Sequence, residues 1–266
     1  MGAGAVDIFW LEPRWPAVNT HRVPVFGGKL PKPIRLVQLS DLHLSRDVSA
    51  AMIEHAFRLA VEQKPDLVCL TGDYVTRVHG QNLSGYSDLF RMLSSRFPTY
   101  AVKGNHDGGA WAEYYLNEPS DRQVDQVLAD GRVNSLQNRS ERLRFGGAEL
   151  WLAGVGDLWS DEVRANDAFS AVPQGAPVVL LAHNPDSKDQ VSNYGWKLML
   201  SGHTHGAQNS LPYLSTMYAP VEDKRFVAGL NYWPEGERWI HTNVGVGNLR
   251  GFRILRRPEV TVLELS

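Results

Sequence analysis

Residues 34–43 read IRLVQLSDLH, an apolar run that ends in two side chains able to bind metal. The run from Ile34 to Leu39 predicts a short buried strand. Asp41 and His43 follow it two residues apart, so in an extended segment their side chains share a face. A loop directly after a strand aims its side chains into the crevice at the carboxyl edge of a sheet. The stretch therefore predicts a strand that delivers two metal ligands to such an edge.

Four later stretches repeat this arrangement of an apolar run followed by ligand-type side chains. They are Gly72-Asp73, Gly104-Asn105-His106-Asp107, His183 and Gly202-His203-Thr204-His205. Each is weak alone, but five of the nine histidines fall within the set, which makes coincidence a poor explanation. Glycines beside the ligands permit sharp turns and close backbone approach. Mixed oxygen and nitrogen ligands favour Mn, Fe or Zn over Ca or Mg, so we expect a divalent transition metal.

Strands and helices alternate over roughly the first 105 residues. Helical periodicity runs from Ala50 to Gln63 and ends before Pro65. A second buried strand follows over Asp66–Thr71, then a helix over Ser87–Ser95 and a strand over Thr99–Lys103. This alternation is typical of an α/β layer with parallel strands.

The second half of the chain is richer in strands. Gly108 to Asp130 looks helical with a break near Pro119, and a hairpin is predicted around Gly146-Gly147. Its strands are Arg142–Phe145 and Glu149–Val155, and further strands are predicted over Val178–Ala182, Lys197–Ser201, Trp239–Val244 and Val260–Leu265. Two mixed sheets packed face to face, with helices outside, would accommodate them. We predict an N-terminal extension over residues 1–33 and one domain over residues 34–266.

Composition limits the classes of function. The chain has 266 residues, 43% of them apolar, which allows a sizeable core. Its net charge of -2 gives no support for nucleic-acid binding, which usually needs a basic surplus. The single cysteine, Cys69, excludes internal disulfides and lies in an apolar run, which predicts a small core residue.

The N-terminal segment leaves two interpretations open. It lacks the basic region and apolar core of a signal peptide, and no stretch approaches the ~20 apolar residues that span a bilayer. Phe9, Trp10, Leu11 and Trp15 form an apolar aromatic patch. The patch either packs against the domain or contacts a membrane surface, where tryptophan is favoured. We therefore expect a cytoplasmic protein, with peripheral contact to the inner membrane as the second interpretation.

The five stretches, in this order, resemble the calcineurin-like metallophosphoesterase superfamily. The pattern of that superfamily is Asp-x-His, Gly-Asp, Gly-Asn-His-Asp/Glu, His and Gly-His-x-His, and every block is present from about residue 34 onward. The resemblance implies an α/β fold, a four-layer αββα sandwich of two mixed sheets flanked by helices. It also implies a dinuclear metal centre at the sheet edge.

The resemblance further implies a role for each residue. One ion would be held by Asp41, His43, Asp73 and His205. The other would be held by Asp73, Asn105, His183 and His203, with Asp73 bridging the two. His106 would donate to a phosphate oxygen instead of binding metal, and Asp107 would orient His106.

The implied chemistry is hydrolysis of a phosphate ester. Two cations about 3.5–4 Å apart lower the pKa of a bridging water and hold the phosphoryl oxygens for in-line attack. The nucleophile is then hydroxide, and no covalent enzyme intermediate is needed. Protonated His106 would stabilise the developing charge or protonate the leaving oxygen.

A finer resemblance points to a bacterial phosphodiesterase branch of the superfamily. It rests on Gly202–Gln208 and on Gly245-Val246-Gly247 with the last strand. Ala207 departs from the glycine usual in that branch. The branch includes UDP-2,3-diacylglucosamine pyrophosphatases of lipid A synthesis, which implies a small-molecule or lipid-linked phosphate ester as substrate. Many of its members carry an N-terminal membrane anchor, which we do not expect here, and this difference concerns membrane attachment and not chemistry.

Two other groups of side chains could contact the substrate. The loop between His205 and Trp239 is rich in apolar residues, namely Leu211, Tyr213, Leu214, Met217, Tyr218, Phe226, Tyr232 and Trp233. These either fold into the core or form an apolar wall beside the metals. Arg250, Arg253, Arg256 and Arg257 form a basic cluster that is either a solvated face or a source of phosphate contacts, with Arg250 and Arg253 best placed.

Other functions use the same residues. A phosphomonoesterase or a cyclic-nucleotide phosphodiesterase would need the same metal centre, because substrate choice depends on loops. A scaffold without metals would have lost ligands, and here every ligand position is filled. A nuclease is disfavoured by the near-neutral charge.

Overall fold

The computed structural model describes residues 7–80, 82–118, 122–211, 217–249 and 251–266. Over these residues the chain forms two six-stranded sheets that pack face to face, with helices on the outer sides. The predicted four-layer αββα sandwich is therefore confirmed. The predicted strands and helices are found with ends displaced by no more than three residues.

The first sheet has the strand order β1-β12-β2-β3-β4-β5. Its strands are β1 (Ala17–Val23), β2 (Ile34–Leu39), β3 (Leu67–Thr71), β4 (Thr99–Val102), β5 (Asn134–Ser135) and β12 (Glu259–Leu265). Neighbouring strands are parallel except β12 and β2, which are antiparallel. Because β2, β3 and β4 are parallel neighbours, their carboxyl ends meet at one edge.

Helices cover the outer face of the first sheet. Of the four helices α1 (Ala50–Glu62), α2 (Tyr86–Ser94), α3 (Gly109–Leu116) and α4 (Arg122–Asp130), α1, α2 and α4 pack on this face, and α3 contacts the turn Asn105–Asp107. Ser49 caps α1 by accepting a hydrogen bond from the Met52 backbone N–H. Phe57 and Phe90 pack in one cluster with Val68 of the sheet. The helical region predicted over Gly108–Asp130 with a break near Pro119 is found as α3 and α4, and residues 119–121 between them lie outside the described residues.

The second sheet has the strand order β10-β11-β9-β8-β7-β6. Its strands are β6 (Arg139–Phe145), β7 (Ala148–Gly154), β8 (Val178–Leu181), β9 (Leu198–Ser201), β10 (Gly229–Trp233) and β11 (Arg238–Thr242). The predicted hairpin of β6 and β7 is present. The outer face is covered by the short helix α5 (Ala165–Phe169) and by an aromatic cluster that includes Trp196, Phe226 and Trp233.

The space between the sheets is filled by alternate residues of the strands. Leu36 and Leu67 of the first sheet pack against Leu152, Leu181 and Leu200 of the second, and all five are fully buried. Their strand neighbours face the helices, so the central strands are buried on both sides and read as apolar runs. Cys69 lies in this inner layer, where burial raises the pKa of its thiol, in agreement with a core role.

Residues 17–23 form β1, which pairs in parallel with β12. Before it, Phe9, Leu11 and Trp15 expose 49%, 58% and 63% of their surface. The Phe9 ring lies 6.0 Å from the Phe252 ring, and the Arg257 guanidinium lies 3.9 Å from the Trp15 ring centroid. The segment therefore both pairs with the domain and presents apolar side chains outward. Within the described part of the chain, no helix has the length and apolar character needed to cross a membrane.

Candidate metal centre

The five ligand-bearing stretches meet at one edge of the sandwich. β2, β3 and β4 end side by side in the first sheet, and β8 and β9 end side by side in the second. The two edges are joined where the His203 backbone N–H donates to Asp41 Oδ1 at 3.0 Å. Residues that are far apart in the sequence thus surround one crevice.

Asp41, His43 and His205 form the first group of converging donor atoms. The Nε2 atoms of the two histidines lie 3.0 Å apart. Asp41 Oδ1 lies 3.3 Å from His205 Nε2 and 4.0 Å from His43 Nε2. Three buried ligand atoms thus surround one point, as a divalent cation requires.

Asp73 occupies the position between two groups of ligands. Its Oδ2 lies 3.4 Å from His43 Nε2 and 3.3 Å from His183 Nε2. Asp73 also groups with Asp41 and His183 as a second set of potential ligands. This is the location that a carboxylate shared by two ions would have.

Asn105 and His203 complete the constellation. Asn105 Oδ1 lies 3.0 Å from His203 Nδ1, and both side chains are buried. The His203 ring is 5.1 Å from the His183 ring, centroid to centroid. The structure therefore brings together all seven residues predicted as metal ligands.

The backbone of this region is strained. Five of the seven residues adopt left-handed conformations with positive φ, namely Asp41 (50°), His43 (48°), Asp73 (57°), His203 (69°) and His205 (51°). Such conformations cost about 1–3 kcal/mol each for residues other than glycine and cluster at functional sites. Gly104 leaves room for the ligands, because a Cβ there would lie 2.7 Å from His183 Nε2.

Most of the buried imidazoles are neutral. Burial lowers the pKa of His43 to about 4 and that of His203 to about 3. Burial, with help from His43, lowers the pKa of His205 well below its usual value. A neutral imidazole keeps a lone pair for a metal, so these three rings are in the form that ligation needs.

The pKa values of the other three ionisable ligands, Asp41, Asp73 and His183, depend on one another. Burial alone would raise the pKa of Asp73, but the neighbouring His183 holds it well below its usual range. Asp73 in turn raises the pKa of His183 to about 10, against the effect of burial. Burial, together with the Asp73 charge, raises the pKa of Asp41 to about 7. A divalent cation would replace the His183 proton and stabilise both carboxylates.

His183 shows that the residues fit a metal. Its Nδ1 lies 2.6 Å from the Thr71 carbonyl, which can only accept, so Nδ1 carries a proton. Its Nε2 is buried and lies 3.3 Å from Asp73 Oδ2, but no described residue forms a well-aligned hydrogen bond with it. Metal-bound histidines show this arrangement, because the second ring nitrogen donates to a carbonyl or carboxylate. The donor set therefore suits divalent cations.

Asp107 does not orient the His106 ring as predicted. Its Oδ2 accepts hydrogen bonds from the backbone N–H groups of Asp73 and Gly104 at 2.7 and 2.9 Å, and its Oδ1 accepts one from Tyr74 at 2.7 Å. Asp107 therefore ties together the two loops that carry Asp73 and Asn105. The sequence pattern does not reveal this role, because the carboxylate oxygens of Asp107 accept from the backbone of Asp73 and Tyr74, which are distant in the sequence.

His106 stands at the mouth of the crevice. It is half-buried, and its Nδ1 lies 2.9 Å from the Thr76 carbonyl, which leaves Nε2 free of that contact. Its backbone N–H donates to Asp73 Oδ1 at 3.0 Å. The ring lies 4.9 Å from the rings of His43 and Trp111. Its contact with a substrate phosphate stays a prediction.

Arg253 is placed where it cannot reach a phosphate, which corrects the sequence prediction. Its side chain is fully buried, and burial lowers its pKa to about 10. The Nη2 group donates to three backbone carbonyls of one loop, those of Val244, Gly245 and Gly247. Gly245 packs against Asp41 and His205, so Arg253 stabilises the backbone behind these ligands. Arg250 lies outside the described residues.

Some residues of the predicted apolar loop belong to the core, and others are exposed. Phe226 and Trp233 are core residues, and Trp233 stacks on Trp196 with ring centroids 5.7 Å apart. Met217 and Tyr218 are instead 61% and 71% exposed. Leu211 is half-buried and Tyr232 is exposed, while Tyr213 and Leu214 lie outside the described residues.

Three aromatic residues near the centre were missed by the sequence analysis. Trp159 meets the His203 ring edge-to-face at 4.1 Å, and Trp111 lies beside His106. Tyr115 packs on Trp111 at 5.1 Å, and its i, i+4 spacing from Trp111 on one helix was the available signal. On the other side, His203 and His205 line a cavity of about 320 Å³ together with Tyr218, Leu249 and Phe252.

The family model of the calcineurin-like phosphoesterases matches residues 34–207, which contain all seven predicted ligands. The chain belongs to the calcineurin-like phosphoesterase family. It is therefore a metal-dependent phosphoesterase, a hydrolase of phosphate esters, and the family resemblance read from the sequence is confirmed. This family membership also implies that divalent metal ions occupy the Asp and His cluster.

Relatives of this metallophosphoesterase include proteins named as a phosphodiesterase and as a pyrophosphatase. It is 40% identical to phosphodiesterase YaeI of Escherichia coli over 96% of this chain and 90% of that one. It is 24% identical to UDP-2,3-diacylglucosamine pyrophosphatase LpxG of Chlamydia trachomatis over 92% and 89%. The 5'-nucleotidase precursor of Thermus thermophilus shares the fold with a TM-score of 0.52 and 12% identity, over 87% of this chain and 54% of that chain.

Proposed function

We propose that this metallophosphoesterase hydrolyses a phosphodiester or pyrophosphate bond in an amphipathic substrate, with two divalent cations bound at the candidate centre. The observation that carries the proposal is the position of Asp73 Oδ2, 3.4 Å from His43 Nε2 and 3.3 Å from His183 Nε2. One carboxylate oxygen between two sets of ligands suits a shared ligand of two ions.

The ligands divide as the family resemblance implies. Asp41, His43 and His205 would hold one ion with Asp73, and Asn105, His183 and His203 would hold the other with Asp73. Two such cations supply a water of lowered pKa and neutralise the phosphoryl oxygens. Mixed oxygen and nitrogen donors favour Mn²⁺, with Fe or Zn as alternatives.

The residues of the chain supply orientation and proton donation. To donate from Nε2 to a phosphate oxygen, His106 must carry a proton on both ring nitrogens, because its Nδ1 already donates to the Thr76 carbonyl. Asp107 keeps Asp73 and Asn105 in place through its three backbone hydrogen bonds. The Trp159 ring against His203 limits the access of water on one side.

Apolar surfaces on two sides of the centre support an amphipathic substrate. One is the cavity of about 320 Å³ lined by Tyr218, Leu249 and Phe252. The other is the aromatic group of Trp111, Tyr115 and Trp159. Each 100 Å² of apolar surface that an acyl chain buries there contributes about 2.5 kcal/mol, close to 70-fold in affinity.

The named relatives support the bond type. YaeI is named a phosphodiesterase and LpxG a UDP-2,3-diacylglucosamine pyrophosphatase. A lipid-linked nucleotide sugar of the second kind combines a pyrophosphate with acyl chains, so it matches both the metal centre and the apolar surfaces. A role in lipid A biosynthesis follows from that substrate.

Contact with a membrane surface would bring the enzyme to such a substrate. Phe9, Leu11 and Trp15 are exposed, and Arg257 lies over the Trp15 ring, so apolar and basic groups stand side by side. This combination suits peripheral binding at the headgroup level of an anionic membrane. Sedimentation with anionic vesicles should be weaker for Trp15→Ser than for wild type, and equal sedimentation would reject the contact.

A substrate panel with Mn²⁺-loaded protein tests the function. It compares bis(p-nitrophenyl) phosphate, p-nitrophenyl phosphate, a cyclic nucleotide, UDP-2,3-diacylglucosamine and its deacylated analogue. We expect kcat/KM to be highest for the acylated substrate and higher for the diester than for the monoester. A preference for p-nitrophenyl phosphate or for the cyclic nucleotide would favour the phosphomonoesterase or cyclic-nucleotide alternative.

A second experiment tests the number of ions. Elemental analysis should find about two metals per chain at the centre, and Asp73→Asn should lower the occupancy of both, because Asp73 is the shared ligand. Full metal content and activity in Asp73→Asn would reject the dinuclear assignment. Absence of hydrolysis of every substrate by fully loaded wild type would instead favour a scaffold.

A further inference from the structure

A second cluster of ligand-type side chains lies apart from the five stretches. It consists of His21 on β1, His241 on β11 and Glu259 at the start of β12. Their ligand atoms all lie within 4.8 Å of one another. The cluster thus joins an edge of the first sheet to the second sheet, and none of its members belongs to the proposed dinuclear centre.

His241 is prepared for ligation by its hydrogen bond to Gln38. The Gln38 amide nitrogen donates to the Ser201 carbonyl at 2.9 Å, which can only accept, so the amide oxygen must face His241. That oxygen lies 2.8 Å from His241 Nδ1, which therefore carries the proton. The lone pair is then on Nε2, which is buried and has no hydrogen-bond partner in the described ranges. Metal-bound histidines likewise donate the N–H of their other ring nitrogen to an oxygen acceptor.

Glu259 supplies a buried carboxylate. Only 4% of its surface is exposed, and its oxygens accept hydrogen bonds from Asn19 Nδ2 at 2.8 Å and from the Val244 N–H at 3.1 Å. Both partners are neutral. Among the residues with described coordinates, Arg253 and Arg256 interact electrostatically with Glu259, but neither forms an ion pair with it. A buried carboxylate that makes no direct ion pair is costly, and a bound cation would offset that cost.

His21 provides the third ligand and the flexibility to close the site. Its ring lies 5.2 Å from the His241 ring, and the residue is half-buried on the terminal strand of its sheet. Ligands of tetrahedral zinc lie about 3.4 Å apart, because each is about 2.0–2.1 Å from the ion. The three ligand atoms, which lie within 4.8 Å of one another, would have to move closer together to reach that spacing.

We propose that His21, His241 and Glu259 form an additional metal site for one Zn²⁺-class ion, separate from the centre at the strand ends. Two imidazoles and one carboxylate are a ligand set that zinc accepts with a fourth position open. His21 and Glu259 line a cavity of about 630 Å³, which gives the ion a path of entry and the open position room for water or a ligand.

The same cavity is lined by Arg256 and Arg257, so an anion is the competing ligand. Both guanidinium groups already have partners. Arg256 donates to the Asn209 carbonyl at 3.3 Å, and Arg257 donates to the Trp15 carbonyl at 2.8 Å. The unpartnered nitrogen of His241 and the buried carboxylate of Glu259 favour a cation over an anion.

Metal stoichiometry tests the site. Full-length wild type, His21→Ala and Glu259→Gln are saturated with Zn²⁺, dialysed and measured by elemental analysis. We expect each variant to bind one ion fewer than wild type, whatever the number at the dinuclear centre. His55→Ala, a change at an exposed histidine, serves as the matched control and should equal wild type. Equal metal content in all four proteins would overturn the proposal.

Visible absorption with Co²⁺ supplies an independent readout. The difference spectrum of wild type minus His21→Ala should contain the intense d–d bands of a four-coordinate ion. Thermal unfolding of the metal-free proteins verifies folding, and the variants should have midpoints close to that of wild type. A flat difference spectrum between folded proteins would reject the site. If inorganic phosphate raises the thermal unfolding midpoint of wild type and Zn²⁺ does not, the cavity binds an anion and the proposal is rejected.

Discussion

Replacement of Asp107 by asparagine should loosen the metal centre through the backbone and not through His106. The carboxylate is fully buried and accepts hydrogen bonds from three backbone N–H groups, those of Asp73, Tyr74 and Gly104. Asparagine has nearly the same shape but only one acceptor oxygen. It therefore tests the hydrogen bonds without creating a cavity.

The expected loss of stability follows from the three bonds. The best orientation of asparagine keeps its oxygen on the two donors that share Oδ2, Asp73 and Gly104, and turns its NH₂ group toward the Tyr74 N–H. One buried donor is then left unsatisfied, at about 1–3 kcal/mol. The two remaining bonds lose the charge of their acceptor, at about 1 kcal/mol each. The sum is a loss of about 3–5 kcal/mol in the free energy of unfolding, part of which is offset because asparagine removes a buried charge.

Urea unfolding of the metal-free proteins measures this loss. The assay is run at pH 8.5, because burial raises the pKa of Asp107 to about 7 and the carboxylate must be ionised. Asp47→Asn, at an exposed aspartate, is the matched control and should change stability by less than about 0.5 kcal/mol. Asp107→Asn should also bind both metals more weakly, since Asp73 and Asn105 are released. Unchanged stability and metal content with a lower rate would refute this reasoning and restore the role of Asp107 in orienting His106.

Three other changes test separate parts of the site. His106→Ala should retain the metals and lower the rate by about 10²–10⁴, and parallel loss of metal would make His106 a ligand. Trp111→Ala should reduce the preference for acylated over deacylated substrate. The control Trp233→Ala should lower only stability, because Trp233 stacks in the core on Trp196. Equal effects of the two changes on substrate preference would contradict the aromatic binding surface. Arg253→Lys should lower the free energy of unfolding by about 2–4 kcal/mol in urea and leave KM unchanged, since its guanidinium serves backbone carbonyls and not the substrate. A raised KM without loss of stability would return Arg253 to the substrate.

The central strands could be predicted because their burial is local information. β2, β3, β8 and β9 are short runs of apolar residues enclosed on both faces, so their composition alone indicates strands. β1 and β10 were missed, since they are terminal strands with mostly polar or half-exposed residues. β1 forms by pairing with β12, which lies at the other end of the chain, and β10 forms by pairing with β11, which follows it in a hairpin.

The amino-acid sequence by itself determined which residues could bind metal and that they follow strands. The type of a side chain decides whether it can bind a metal, and the carboxyl ends of parallel strands meet at one edge of a sheet. Seven residues from Asp41 to His205 could therefore be predicted as ligands, and they lie together in the structure.

Only the tertiary structure decided what the neighbouring charged residues do. Asp107 and Arg253 have the side chains of a catalytic acid and a phosphate ligand, yet both are buried against backbone groups of distant loops. His241 and Glu259 carried no local pattern; Glu259 meets His21 through the pairing of β12 with β1, and His241 joins them because the two sheets pack together. The role of a charged side chain depends on which partners surround it, and those partners come from parts of the chain that folding alone brings near.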